Sequence, residues 1–200
     1  WDELKRHYNA LARAGIAVEF GDETADLTGY RLVVVPMLYL LTDDFAKKLC
    51  GFAQNGGTVV VTYWTGVVDE SDLCRLGDTP YGLTELLGLR RTEIDGMYDG
   101  ETRRCTPVSG CALPEAQASI LCEVAVPNDT DPAVQLSVYA EDYFAQHPAA
   151  AVHKYGAGRA YYLASRFDED FYRAFYNDAA KELGLAPAWQ QPLPAGVLAV

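Results

Sequence analysis

The sequence predicts an α/β fold, a mostly parallel sheet with an antiparallel β extension, on three observations. Residues 2–88 read as helix, strand, strand, helix, strand, helix, the alternation a parallel sheet requires. Residues 58–63 are almost all β-branched or aromatic, as in a strand covered on both faces. After Gly88 the pattern changes to strand-like runs separated by Gly, Pro and Asp turns.

The elements follow in order. Leu4, Tyr8 and Leu11 recur at i, i+4, i+7 and predict an amphipathic helix over 2–14, stopped by Gly15. Residues 16–20 form a short strand and 22–29 a polar loop. A second strand spans 31–35 and ends at Pro36, which has no N–H to donate. Thr42 is an N-cap, with Asp43 and Asp44 in the first turn where carboxylates suit the helix dipole. Phe45, Leu49, Phe52 and Ala53 make the buried stripe of that helix, and Asn55-Gly56-Gly57 ends it. Asp78-Thr79-Pro80 opens a further helix with proline at its first position; Leu83, Leu86 and Leu87 face inward and Gly88 closes it.

Four strands are then expected at 90–94, 103–108, 119–126 and 133–140, and the alternation over 135–138 suits one wet face. Gly156-Ala157-Gly158 joins strands 151–155 and 159–164 as a hairpin. In the last helix, 168–183, Phe171, Phe175, Ala179 and Leu183 share one face. Beyond Pro187 there is no period, and the segment reads as a linker.

Composition excludes several functions. A 200-residue chain that is 50% hydrophobic is globular, and long enough for a sizeable core. Its net charge of -12 argues against nucleic acid and against anionic membrane surfaces. Five cysteines with no C-x-x-C pair point to reduced thiols in a cytoplasm rather than to a disulfide framework or zinc site. No apolar run of about 18 residues is present to span a membrane. The start at Trp1 and the apolar end at Val200 suggest a piece of a longer polypeptide.

The candidate site is the loop after the strand at 58–63, because ligands of open α/β sheets sit at the carboxyl ends of strands. That loop offers the indole of Trp64 and the carboxylates of Asp69, Glu70 and Asp72, with two hydroxyls but no thiol and no histidine. Trp64 and Thr65 occupy the elbow where a nucleophile would stand, and Ser71 fits no G-x-S-x-G frame. The three histidines, His7, His147 and His153, read as packed or surface residues. A D-E-x-D loop lacks the EF-hand pattern, and carboxylates this close in sequence seldom flank a bond from opposite sides. Capping, solvation or contact with a partner is therefore the expected role, with no metal and no cofactor. Gly156-Ala157-Gly158-Arg159 precedes a strand, not a helix, and is no phosphate cradle. The aromatic series Tyr161, Tyr162, Phe167, Phe171, Tyr172, Phe175 and Tyr176 reads as core, although excess tyrosine also suits an interface.

Several stretches in order carry a family resemblance: Tyr30-Arg31-Leu32-Val33-Val34-Val35-Pro36-Met37-Leu38-Tyr39-Leu40, Gly56-Gly57-Thr58-Val59-Val60-Val61-Thr62 and Thr65-Gly66-Val67-Val68-Asp69-Glu70-Ser71-Asp72. Tyr81-Gly82-Leu83-Thr84-Glu85-Leu86-Leu87-Gly88-Leu89 and Lys154-Tyr155-Gly156-Ala157-Gly158-Arg159-Ala160-Tyr161-Tyr162-Leu163 continue it. Together they resemble the middle domain of family-42 glycoside hydrolases, which are bacterial β-galactosidases. Leu193-Pro194-Ala195-Gly196-Val197 resembles the lead into that family's C-terminal β-domain.

The resemblance implies a flavodoxin-like, class I glutamine-amidotransferase-like three-layer sandwich whose nucleophile is lost. It implies a domain over 1–186 and a linker over 187–200. It also implies a non-catalytic trimerisation domain that helps wall the substrate funnel of a neighbouring subunit in a homotrimer. Both catalytic glutamates of the family belong to the preceding barrel, so none falls on this chain. Family members carry a strand upstream of the first helix, and a sheet lacking it would expose backbone edges. Two other readings stay open at this stage, a stand-alone amidotransferase-like enzyme and a carbohydrate-binding module using Trp64.

Overall fold

The computed structural model describes residues 1–187. Helix α1 (Asp2–Arg13) is followed by strand β1 (Leu32–Val35), helix α2 (Asp43–Gln54) and strand β2 (Thr58–Thr62). One turn of helix, α3 (Thr84–Leu87), leads into β3 (Leu89–Gly96), β4 (Arg103–Pro107), β5 (Ala116–Pro127) and β6 (Val134–Tyr139). The hairpin β7 (Pro148–Tyr155) and β8 (Gly158–Leu163), the short β9 (Ser165–Arg166) and helix α4 (Glu169–Glu182) complete the fold.

A single sheet runs β1-β2-β8-β7-β6-β4-β5-β3, with β9 beside β5. β1, β2 and β8 are parallel, Val33 opposite Val59 and Val60 opposite Tyr161. From β8 outward the described pairings are antiparallel, so the extension is the larger part and the parallel portion is what carries the elbow. β2 is buried at every position, because parallel strands are covered on both faces. Successive residues of β8 point to opposite faces. Tyr161 meets Phe175 of α4 edge-on at 5.1 Å. On the other face, Ala160 lies opposite His153, whose Nδ1 is 3.0 Å from the Leu86 carbonyl of α3. The result is three layers.

Thr42 caps α2 as the sequence predicts, and Asp168, the expected start of the last helix, is the cap of α4. Thr42 accepts the Phe45 N–H at 3.3 Å, and Asp168 accepts that of Phe171 at 3.0 Å. Gly158 leaves room for close approach: a Cβ there would stand 2.1 Å from the Gly57 carbonyl, so the hairpin seats directly on the end of α2. The aromatic series 161–176 is entirely buried and belongs to the core rather than to an interface.

Four local expectations differ. Residues 16–20 are extended, with Ile16 and Val18 packed on the core, but they join no ladder; a two-residue period reports which face is buried, not whether a neighbouring strand exists. β1 hydrogen-bonds to β2 alone among the described residues. The helix expected from Pro80 begins only at Thr84, because Thr79 is drawn into a bridge with Arg91, and a residue before proline favours extended backbone. The alternation of β6 is broken by register shifts against β7, which bury Ser137 and turn its hydroxyl to the Thr106 carbonyl at 3.1 Å. Helix α1 presents Glu3, His7, Ala10 and Leu11 to the interior, while Leu4 and Tyr8 are only half-buried. Two polar groups thus sit at the centre of its buried face, where α4, β9 and Tyr63 just past β2 supply partners.

Candidate functional site

The carboxyl ends of β1 and β2 lie side by side, and their loops are laced together. The Gly66 N–H donates to the Leu38 carbonyl at 2.9 Å and that of Val67 to Tyr39 at 3.0 Å. The hydroxyl of Thr62 accepts the Met37 N–H at 2.8 Å. This lacing brings Tyr39 over Trp64, rings stacked at 5.9 Å between centroids with planes 17° apart. Tyr39 is 38% exposed and the indole is half-buried, so the pair forms an aromatic surface at the strand ends.

Trp64 has φ +61. A bulky residue in the left-handed region costs about 1–3 kcal/mol and persists only where its surroundings fix it. Its N–H donates to Glu123 Oε1 at 2.9 Å. Glu123, on β5, is fully buried and also accepts Arg91 Nη1 at 2.8 Å and the Tyr162 hydroxyl. Arg91 Nη1 reaches the Thr65 carbonyl at 3.2 Å. Burial pushes the Glu123 carboxyl above its ordinary value, against the pull of Arg91, Tyr162 and the Trp64 N–H.

A second buried network lies beneath Tyr63. The Glu3 carboxylate accepts the hydroxyls of Tyr63 at 2.9 Å and Tyr172 at 2.5 Å, and Arg166 Nε at 2.8 Å. His7 Nε2 is 3.2 Å from it, while Nδ1 faces the Tyr176 hydroxyl. Burial raises the Glu3 carboxyl, but its interactions with His7, Tyr172 and Tyr63 outweigh that and bring it down to about 2. His7 is therefore a packed residue of the support layer, shut off from solvent.

The structure divides the three loop carboxylates. Asp69 is spent inside the loop, accepting the N–H groups of Ser71 at 2.8 Å and Leu73 at 3.1 Å, and these bonds hold its carboxyl below the usual range. Glu70 lies 3.6 Å from Arg75, which also pairs with Asp43 at 2.9 Å and covers the Tyr81 ring. Asp72 is exposed, at φ +59, and its charge, after partial desolvation, raises the Tyr39 phenol. Trp64 and Asp72 thus converge on Tyr39, whereas Asp69 and Glu70 shape the loop.

The elbow itself presents no thiol and no imidazole, although the exposed Cys74 lies near Tyr39, and among the described residues no group of three or more His, Cys, Asp or Glu could hold a metal ion. What the arrangement can do is stack on an apolar ring face and hydrogen-bond a hydroxyl-rich ligand or partner. Sequence reasoning missed Tyr39, Arg91, Glu123 and Glu3. The available signals were a lone carboxylate inside the apolar run 121–126, and Glu3 four residues before His7.

Comparison with known proteins agrees with this fold. A family model described as the β-galactosidase trimerisation domain matches residues 1–186. β-Galactosidase BglY of Alicyclobacillus acidocaldarius is 42% identical over 100% of this chain and 29% of its own length. The crystal structure of the β-galactosidase from Rahnella sp. R3 superposes with a TM-score of 0.93 at 40% identity, covering 98% of this chain and 29% of that one. For the β-galactosidase from Bacillus circulans sp. alkalophilus the TM-score is 0.90 at 30% identity, covering 96% and 28%. The chain therefore spans less than a third of the length of these relatives. With the match extending over its parallel strands, its elbow and its antiparallel extension, the chain belongs to the β-galactosidase trimerisation domain family.

Proposed function

We propose that this chain serves as the trimerisation domain of a longer β-galactosidase, and that its loop 64–72 helps to wall the substrate funnel of a neighbouring subunit. The parent hydrolyses terminal β-galactosides with retention, using two carboxylates that lie outside this chain. The segment itself contributes no catalytic residue and needs no cofactor. Residues 1–186 are the domain and 187–200 lead toward a further β-domain; 188–200 lie outside the described residues. The partner is a second and third copy of the same polypeptide, in a cytoplasm. No helix among the described residues is long and apolar enough to cross a membrane.

The observation that carries this reading is the Tyr39–Trp64 stack, held on a left-handed elbow at the end of a parallel strand. The elbow follows a buried parallel strand, where an amidotransferase-like fold would carry its nucleophile, but presents an indole, which supports such a fold turned to contact rather than to chemistry. A stand-alone amidotransferase lacks its thiol there, and burial raises the Cys105 and Cys122 thiols away from reactivity.

Trp64→Ala in the full polypeptide tests the funnel role. The expected result is a KM for an aryl β-galactoside raised several-fold, with the trimer mass and thermal midpoint retained. Unchanged kinetics in a folded trimer would retire the funnel role, and a monomeric parent would retire the assembly role.

A further inference from the structure

We propose that Arg91 and Glu123 are positioning residues for the Trp64 loop, a buried ion pair by which the antiparallel extension grips the elbow from both sides. The consequence for substrate rests on the funnel reading; the grip itself does not. An elbow at φ +61 turns the Trp64 N–H and the Thr65 carbonyl away from the ladder of β2, where strand neighbours cannot satisfy them. The structure answers with one charged acceptor for the first and one charged donor for the second. Glu123 Oε1 takes the Trp64 N–H at 2.9 Å, Arg91 Nη1 gives to the Thr65 carbonyl at 3.2 Å, and the two charges meet at 2.8 Å.

Both grips are themselves anchored. The Glu123 N–H donates to the Ala164 carbonyl at 2.9 Å, and the Tyr139 hydroxyl donates to the Glu123 carbonyl at 3.3 Å. The Thr79 hydroxyl donates to the Arg91 carbonyl at 3.1 Å. The Arg91 side chain is 4% exposed and that of Glu123 0%. A buried ion pair is weak evidence for stability, because desolvation offsets most of the attraction. Its use here follows from geometry: one pair satisfies both orphaned groups of a strained turn, and charge-assisted bonds hold that turn more firmly than neutral ones. The indole is thereby aimed before any ligand arrives, which spares binding the cost of ordering it.

The test compares three variants of the full polypeptide and one combination of them. Arg91→Met/Glu123→Leu/Tyr162→Phe replaces the grip by apolar groups of similar volume, the change that buried ion pairs tolerate best. Glu123→Gln is isosteric and keeps a neutral acceptor, should the triple variant not fold. Trp64→Ala reads the funnel role. Amide hydrogen exchange by mass spectrometry is followed on the peptide containing Trp64 and Thr65 and on that of β2, together with KM and kcat for an aryl β-galactoside.

Loss of the grip is expected to speed exchange at the elbow roughly ten-fold or more in the triple variant, and several-fold in Glu123→Gln, with β2 unchanged. KM rises with kcat little altered, and adding Trp64→Ala to the triple variant raises it no further. Elbow exchange unchanged in either folded variant overturns the positioning role. Faster exchange with Trp64→Ala kinetics unchanged upholds the positioning role and removes the funnel.

Discussion

Tyr63 and Glu3, sixty positions apart, meet at 2.9 Å, and the phenol donates to a carboxylate that is 2% exposed. This contact ties the last residue before the elbow to the first turn of α1. Arg166 and Tyr172 bond to the same carboxylate, so β9 and α4 are drawn to the point where β2 ends.

Acid should therefore act on Glu3. Its folded pKa of about 2 lies below the ordinary 4.5, and a carboxyl depressed in this way stabilises the fold above its unfolded pKa. That contribution is lost as pH falls from about 4.5 toward 2, and amounts to on the order of 3 kcal/mol at most. Urea midpoints measured from pH 6 down to pH 3 should fall steeply, and Glu3→Gln should flatten that slope. A slope equal to that of the unaltered chain would remove Glu3 as its source.

Gly88 and Gly110 offer a matched pair. Both have positive φ, +63 and +86. A Cβ at Gly88 would stand 2.5 Å from the His153 ring and 2.8 Å from the Ala133 nitrogen, whereas at Gly110 nothing lies within 4 Å. Gly88→Ala should cost about 3 kcal/mol, strain and overpacking together. Gly110→Ala should cost about 1 kcal/mol from the backbone alone. Equal urea midpoints for the two variants would contradict the packing described around α3.

Thiol reactivity should sort by burial. Cys74 is exposed, while Cys105 and Cys122 are buried and burial pushes the Cys122 thiol up to about 11. With a chromogenic disulfide reagent at pH 8, Cys74 should react at once. Cys105 and Cys122 should react only as the chain unfolds. Rapid labelling of all five thiols in native buffer would refute the closed core between β4 and β5.

Much of the fold was legible because its signals are local. Thr42 and Asp168 cap as their side chains dictate, and β2 announces itself by five consecutive residues that suit burial on both faces. The site was legible only in position. Its place after β2 and the indole of Trp64 followed from sequence, but Tyr39 comes from another loop, and the Arg91–Glu123 pair from two strands whose mutual register no short stretch encodes. The bonds that Asp69 and Glu70 make were illegible for the same reason: their partners, the N–H groups of Ser71 and Leu73 and the side chain of Arg75, depend on a loop conformation that composition does not show. For α1, the apolar period pointed to Leu4 and Tyr8, whereas the tertiary partners of Glu3 and His7 decided which face turned inward.

The pairing of β2 with β8 also sets an order of events during synthesis. Thr58 lies opposite Arg159 and Thr62 opposite Leu163, with the whole antiparallel extension between them in sequence. At elongation rates of about 5–20 residues per second, β2 waits on the order of 5–20 s after leaving the ribosome before its second neighbour exists. Over that interval a strand destined for burial at every position has only β1 beside it, and the nascent chain depends on a chaperone or on its acidic flanks to stay apart from other chains. Premature termination anywhere before β8 would leave a product with no closed sheet to protect it.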